Sequence, residues 1–287
     1  MSGAAPGDAA PSDASLPIGV FDSGVGGLTV LRALRSAMPA EDFMYLGDTA
    51  RLPYGTKSAD TVVRYSLQCA DALLRRGVRC LVVACNTASA SALGALSARH
   101  PMLPVIGVIE PGAAAAVAVS QSQHIAVIAT EGTIAGGAYQ TAILRLNAAA
   151  RVTARACGLF VSMAEEGWTD GPIAESVAHR YLEPIFATRD APDTLVLGCT
   201  HFPALAAAIG AVLPGNVRVV DSAATTAATV ARKLGLKPGP SPGAASGAPA
   251  RGIVTWLATD GAARFARVGS RFFGETLDPK AIEIIDL

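Results

Sequence analysis

Two cysteines stand where chemistry can happen. Cys85 and Cys199 each close a continuous apolar run, Leu81-Val82-Val83-Ala84 and Leu195-Val196-Leu197-Gly198, and each is followed at once by hydrogen-bonding residues, Asn86-Thr87 and Thr200-His201. A thiol acts as a base only as thiolate, and its ordinary pKa is about 8.5, so a neighbour must accept or steer its proton. His201 lies two residues past Cys199, which along an extended chain puts both side chains on one face. Asp22 ends the run Ile18-Gly19-Val20-Phe21 and would meet Cys85 across a sheet edge. Taken singly, a buried cysteine is usually an inert small hydrophobe, and Cys69, Cys80 and Cys157 read that way. Asp22 alone also reads as a turn carboxylate and His201 as a capping or surface imidazole. The repeated setting of Cys85 and Cys199 argues against two independent accidents.

Other chemistries fit less of the pattern. Cys199-Thr200-His201 would make half of a zinc site, but no second close Cys/His pair accompanies it. A Cys–His nucleophile leaves Cys85 without a role. Asp22-Ser23-Gly24-Val25-Gly26-Gly27 offers backbone N–H groups to an anion, yet lacks both the Gly-Lys-Ser/Thr ending of a P-loop and dinucleotide-fingerprint spacing. The four lysines, 57, 233, 237 and 280, include no credible Schiff-base candidate. Two thiols, anion-binding loops and no cofactor motif suit removal of a proton from carbon and its return on the opposite face.

Such residues need strand ends to present them. Strands are expected at 18–21, 43–46, 80–84, near 105–108, 125–129, 152–156, 194–198 and 217–220, and at 253–257. Helices alternate with them, from Leu28 to Met38 and from about Ser58 to Arg76. This alternation predicts βαβ units and mostly parallel sheets, whose ligands bind at the carboxyl ends of the strands. The two thiol segments align with one another, and Ile18-Gly19-Val20-Phe21-Asp22-Ser23 aligns with Ile125-Ala126-Val127-Ile128-Ala129-Thr130 at a similar offset, which suggests two related α/β halves. Residues 1–16 read as a disordered tail and the Pro/Gly-rich 237–252 as a surface loop.

Composition excludes other classes. The 287 residues are 51% hydrophobic and 16% charged, enough for a sizeable core. Lys+Arg and Asp+Glu balance at 23 each, so no basic field points to nucleic acid. No apolar run approaches the roughly 20 residues of a membrane span. No basic residue precedes Arg32, so no secretory leader is expected, and five cysteines are too few for a disulfide scaffold. A cytoplasmic α/β protein is expected.

From about residue 17 onward the sequence resembles the glutamate racemases, cofactor-independent enzymes that supply D-glutamate for peptidoglycan. The resemblance rests on ordered blocks: 19–28 (GVFDSGVGGL), 45–55 (YLGDTARLPYG), 84–89 (ACNTAS), 129–133 (ATEGT), 165–168 (EEGW), 197–203 (LGCTHFP) and 220–223 (VDSA). It implies two similar three-layer α/β domains with the active site in the cleft between them. They divide as 17–110 with 218–287, and 111–217. It implies Cys85 as the base for D-glutamate, assisted by Asp22, and Cys199 as the base for L-glutamate, assisted by His201 and Glu165. Substrate would be held by Asp22, Ser23, Pro53, Tyr54, Gly55, Asn86, Thr87, Thr130, Thr133, Thr200 and His201. No pyridoxal phosphate, metal or nucleotide is expected, and the family often forms homodimers. One departure stands out: Cys157-Gly158-Leu159-Phe160-Val161-Ser162 lacks two prolines the family usually carries before Glu165, which adds backbone freedom there. Rival expectations are an aspartate or hydantoin racemase of the same superfamily, or a two-lobed small-molecule binding protein without chemistry.

Overall fold

A computed structural model describes residues 15–236 and 251–287. The expected tail and Pro/Gly-rich loop therefore lie mostly outside the described residues. Ordered chain already includes Leu16, whose carbonyl accepts from Arg79 Nε at 2.9 Å.

Among the described residues, ten strands form two parallel sheets: β1 (Ile18–Asp22), β2 (Phe43–Gly47), β3 (Cys80–Val83), β4 (Val105–Gly107), β5 (His124–Ala129), β6 (Arg151–Ala156), β7 (Thr194–Gly198), β8 (Arg218–Asp221), β9 (Val254–Ala258) and β10 (Ile282–Ile284). One sheet runs β10-β9-β2-β1-β3-β4 and the other β6-β5-β7-β8. Helices cover both faces, so the inner strands β1, β3 and β7 are buried at every residue, which is why they read as unbroken apolar runs. The edge strand β6, RVTARA, is only partly buried. Expected strands and helices match to within a residue or two. β10 was not foreseen, because a three-residue IEI edge strand carries no periodic signal.

The suspected repeat is topological. The orders β2-β1-β3-β4 and β6-β5-β7-β8 are the same arrangement, with β9 and β10 added to the first. Within it β1 corresponds to β5, and β3, which leads to Cys85, corresponds to β7, which leads to Cys199. One apolar cluster takes residues from both sheets, including Val20, Val82, Ile128 and Leu197, together with Phe160, Phe202 and Phe265. The halves thus share a core that holds the two strand ends at a fixed separation.

The crossing back to the first sheet falls later than the division at 218. Arg218–Asp221 pairs with β7 in the four-stranded sheet. Asp221 then caps the next helix, Ser222–Lys233, its carboxylate accepting from Ala223 N at 2.9 Å. That cap, rather than the strand, marks the change of direction. The helix packs on Leu28–Ala37 of the first half and on Ile109–Val119. Among the described residues, no helix is long and apolar enough to cross a membrane.

At the opposite end of the second sheet, Asp193 accepts from Ser120 Oγ at 2.6 Å, from the backbone N–H groups of Gln121 and Ser122 at 2.7 Å each, and from Thr194 Oγ1 at 2.9 Å. Burial opposes its charge, but these donors outweigh burial and hold the carboxyl well below the usual range. Asp193→Ala should lower stability by about 1–2 kcal/mol, allowing for solvent screening. A depressed carboxyl stabilises above its unfolded pKa, so the deficit should persist above about pH 3.9 and fade as the pH drops well below it. Urea unfolding across that range is the check.

Candidate active site

Cys85 and Asp22 leave adjacent strands side by side. β1 and β3 pair in register up to Phe21 and Val83, and Ala84 N–H continues the ladder to Phe21 O at 2.9 Å. Cys85 caps the helix Asn86–Arg99, its sulfur accepting from Ala88 N–H at 3.5 Å. The thiol also donates to Ser23 Oγ at 3.7 Å. Burial pushes this thiol up to about 12, the Asp22 charge adds to the effect, and the Ala88 and Ser23 bonds oppose it. Burial likewise raises the Asp22 carboxyl, against the pull of His201 and of backbone N–H groups. Asp22 Oδ2 accepts from Gly24 N–H at 3.0 Å, while Oδ1 is buried without a partner. Neutral pH therefore favours the protonated form of the Cys85 thiol.

The second thiol has different support. Cys199 Sγ lies 3.9 Å from His201 Nδ1, and His201 Nε2 lies 3.1 Å from Glu165 Oε1. Burial opposes charge on this ring, but the bonds to Cys199 and Glu165 and the charges of Cys199 and Asp22 overcome it and raise His201 to about 10. A positive ring there would offset negative charge on a neighbouring sulfur. Phe272 packs edge-on against the ring, with centroids 5.1 Å apart. Despite the missing prolines, Glu165 is well anchored: burial raises its carboxyl, and His201 and Arg264 more than reverse this.

The two centres lie close enough for charge on one to act on the other, Cys199 on Cys85 and Asp22 on His201. The glycine-rich turn after β1 forms a close-approach surface. A Cβ on Gly26 would stand 2.5 Å from His201 Nδ1 and Cε1, so only glycine lets the first half come so near. Thr29 Oγ1 donates to the Thr200 carbonyl at 3.2 Å across the same seam. Three hydroxyls from both halves also converge: Thr87 to Thr130 at 3.0 Å, Thr87 to Thr133 at 3.1 Å, and Thr130 to Thr133 at 3.0 Å. Thr87 sits in the first turn of Asn86–Arg99, where helix N–H groups favour a carboxylate. Asn86 Oδ1 accepts from Tyr139 OH at 2.8 Å, which orients the amide and leaves its buried Nδ2 unpartnered.

The 53–55 segment reaches the hydroxyl cluster by its backbone. A Cβ on Gly55 would lie 2.6 Å from Thr130 Cβ. The Tyr54 phenol does not join the cluster. It is fully buried, donates to Asp48 Oδ2, and lies 3.7 Å from Cys69 Sγ. Sequence reasoning missed the spacer Gly26, Tyr139 behind Asn86, Phe272 on His201, and Arg264 and Arg271 at Glu165. The two arginines stand seven apart on one helix and so share a face, the one available signal, but what that face meets is not written locally.

The Asp/Glu/Hydantoin racemase family model matches residues 18–230. A glutamate racemase of Geobacter metallireducens is 51% identical over 91% of this chain and 93% of its own length. One of Koribacter versatilis is 46% identical over 94% and 97%. Among solved structures, the glutamate racemase of Francisella tularensis in complex with D-glutamate superposes with a TM-score of 0.84 at 34% identity, covering 95% of this chain and 98% of that one. Matched along most of its length in sequence and fold, the chain belongs to the Asp/Glu/hydantoin racemase family.

Proposed function

We propose that the protein interconverts L- and D-glutamate by passing the Cα proton between two thiols on opposite faces of the substrate. The observation that carries this reading is the placement of Cys85 and Cys199 after corresponding strands of two like sheets, with the charge of Asp22 acting on the first and His201 beside the second. Its substrate rests on relatives that are themselves glutamate racemases.

In the direction from L-glutamate, Cys199 removes the Cα proton while His201, backed by Glu165, compensates charge at the sulfur. Cys85 delivers its proton to the other face. From D-glutamate the roles reverse, and Asp22 beside Cys85 takes up the steering role. Both halves supply binding groups for the two carboxylates and the amino group: Ser23, Asn86, Thr87, Thr130, Thr133, Thr200 and the 53–55 backbone. As proposed, the two thiols serve as acid and base, and the step calls on no further group of the protein. The product D-glutamate would serve peptidoglycan synthesis.

The test is circular dichroism of purified protein with each enantiomer, without added cofactor, and with aspartate as comparator. Mirror-image products have equal free energy in water, so both glutamate signals should decay to the same zero end point. Aspartate should turn over far more slowly. Static glutamate signals, or aspartate consumed as fast, would overturn the assignment.

A further inference from the structure

Glu165 is gripped from outside its own half. Its helix, Leu159–Glu166, stops at Gly167 with φ of +81°, where Gly167 N–H bonds Ala164 O at 3.2 Å and Trp168 N–H bonds Met163 O at 2.9 Å. Across the seam, the helix Ala262–Phe273 follows β9 of the six-stranded sheet. From it Arg264 donates to Glu165 Oε2 at 2.7 Å, and Arg271 donates to the Glu165 carbonyl at 3.0 Å. A Cβ on Gly167 would lie 2.7 Å from the Arg271 guanidinium, so the arginine fills the space a side chain would take. The Glu165 side chain is 12% exposed and that of Arg264 52%.

We propose that Arg264 is a positioning residue for the proton transfer at Cys199: by holding one Glu165 oxygen it turns the other onto His201 Nε2, so that Nδ1 faces the Cys199 sulfur. The terminal torsion of a glutamate is broad, so one contact does not fix the carboxylate plane. Donors on both oxygens do. The partner bound at one imidazole nitrogen sets what the other nitrogen presents. An arginine this exposed adds little stability as an ion pair, so its main effect is orientation. The helix Ala262–Phe273 thereby supplies, from the opposite half, an anchor for the segment that lacks two prolines.

The inference rests on the proposed two-thiol reaction, but its test reads the thiols directly. The full chain, with Arg264→Ala, Arg264→Lys, Glu165→Gln and the Arg264→Ala/Glu165→Gln pair, is pulsed with iodoacetamide and labelling is quantified at each cysteine by mass spectrometry. Thiolate is the reacting form. Arg264→Ala should slow labelling of Cys199 by about three- to tenfold and leave Cys85 within about twofold. With glutamate, kcat should fall by a similar factor and KM stay nearly constant. Arg264→Lys should recover most of the loss, and Arg264→Ala should add nothing to Glu165→Gln. Equal changes at both thiols would show a tether between halves instead, and an unchanged Cys199, or additive losses in the double variant, would equally overturn the proposal. Labelling needs no turnover, so a Cys199-selective effect without glutamate racemisation would retain this inference and remove the substrate assignment.

Discussion

Cys85→Ala and Cys199→Ala should each lower racemisation by at least about 10³-fold in both directions, toward the upper range for acid–base groups, because in the proposed mechanism each removes a proton carrier outright. Equal free energies of the enantiomers force kcat/KM to be the same in both directions for any variant, so steady-state rates do not distinguish the thiols. Proton exchange does. In deuterated water the wild-type product should carry deuterium at Cα while early unreacted substrate carries little, since the returning proton comes from the opposite thiol. Cys85→Ala retains Cys199 and should still exchange the Cα proton of L-glutamate without inverting it, while leaving D-glutamate untouched. Cys199→Ala should show the reverse. Near-normal racemisation by Cys85→Ala, or exchange of both enantiomers by one variant, would remove the two-base mechanism.

Asp22→Asn and His201→Asn should lower kcat/KM by about 10²–10⁴-fold, as expected for groups that tune a base without being one. Asp22 adjoins Cys85 through direct strand adjacency and acts on His201 only through its charge, whereas His201 lies 3.9 Å from Cys199. The two variants should therefore alter iodoacetamide labelling most strongly at different cysteines. His201 also has a stability signature. Its folded pKa of about 10 lies above the ordinary 6.5. A raised basic group stabilises fully below its unfolded pKa and loses that contribution as the pH climbs through the folded value. The stability gap between wild type and His201→Asn should be largest below about pH 6.5 and shrink toward about pH 10. Denaturant midpoints across that range measure it, and a gap that widens with pH would contradict a charged buried ring.

The chain's local code reaches a definite distance. Apolar runs at Ile18–Asp22, Cys80–Val83 and Thr194–Gly198 reveal strands buried on both faces, and the residues just past them reveal the thiols with their chain neighbours Asn86, Thr87, Thr200 and His201. The repeat of these segments also announces two like halves, which the matching strand orders display. All of this depends on burial pattern and on interactions within a few residues, and such terms act wherever the segment lies.

Four features were decided only by tertiary structure. Gly26 reads as part of an anion loop, and only the fold sets it against His201. Tyr54 lies in a block expected to hold substrate, yet its phenol turns to Asp48. Arg218–Asp221 pairs with β7 rather than returning to the first sheet. Glu165, loosened by the absence of two prolines, is secured by Arg264 and Arg271 from a helix about a hundred residues away along the chain. By itself, then, the sequence determined the elements, the doubled architecture and the paired thiols with their nearest partners. Which surfaces of the two halves meet was left to packing, because it depends on the summed shape and burial of a shared core and on no local spacing.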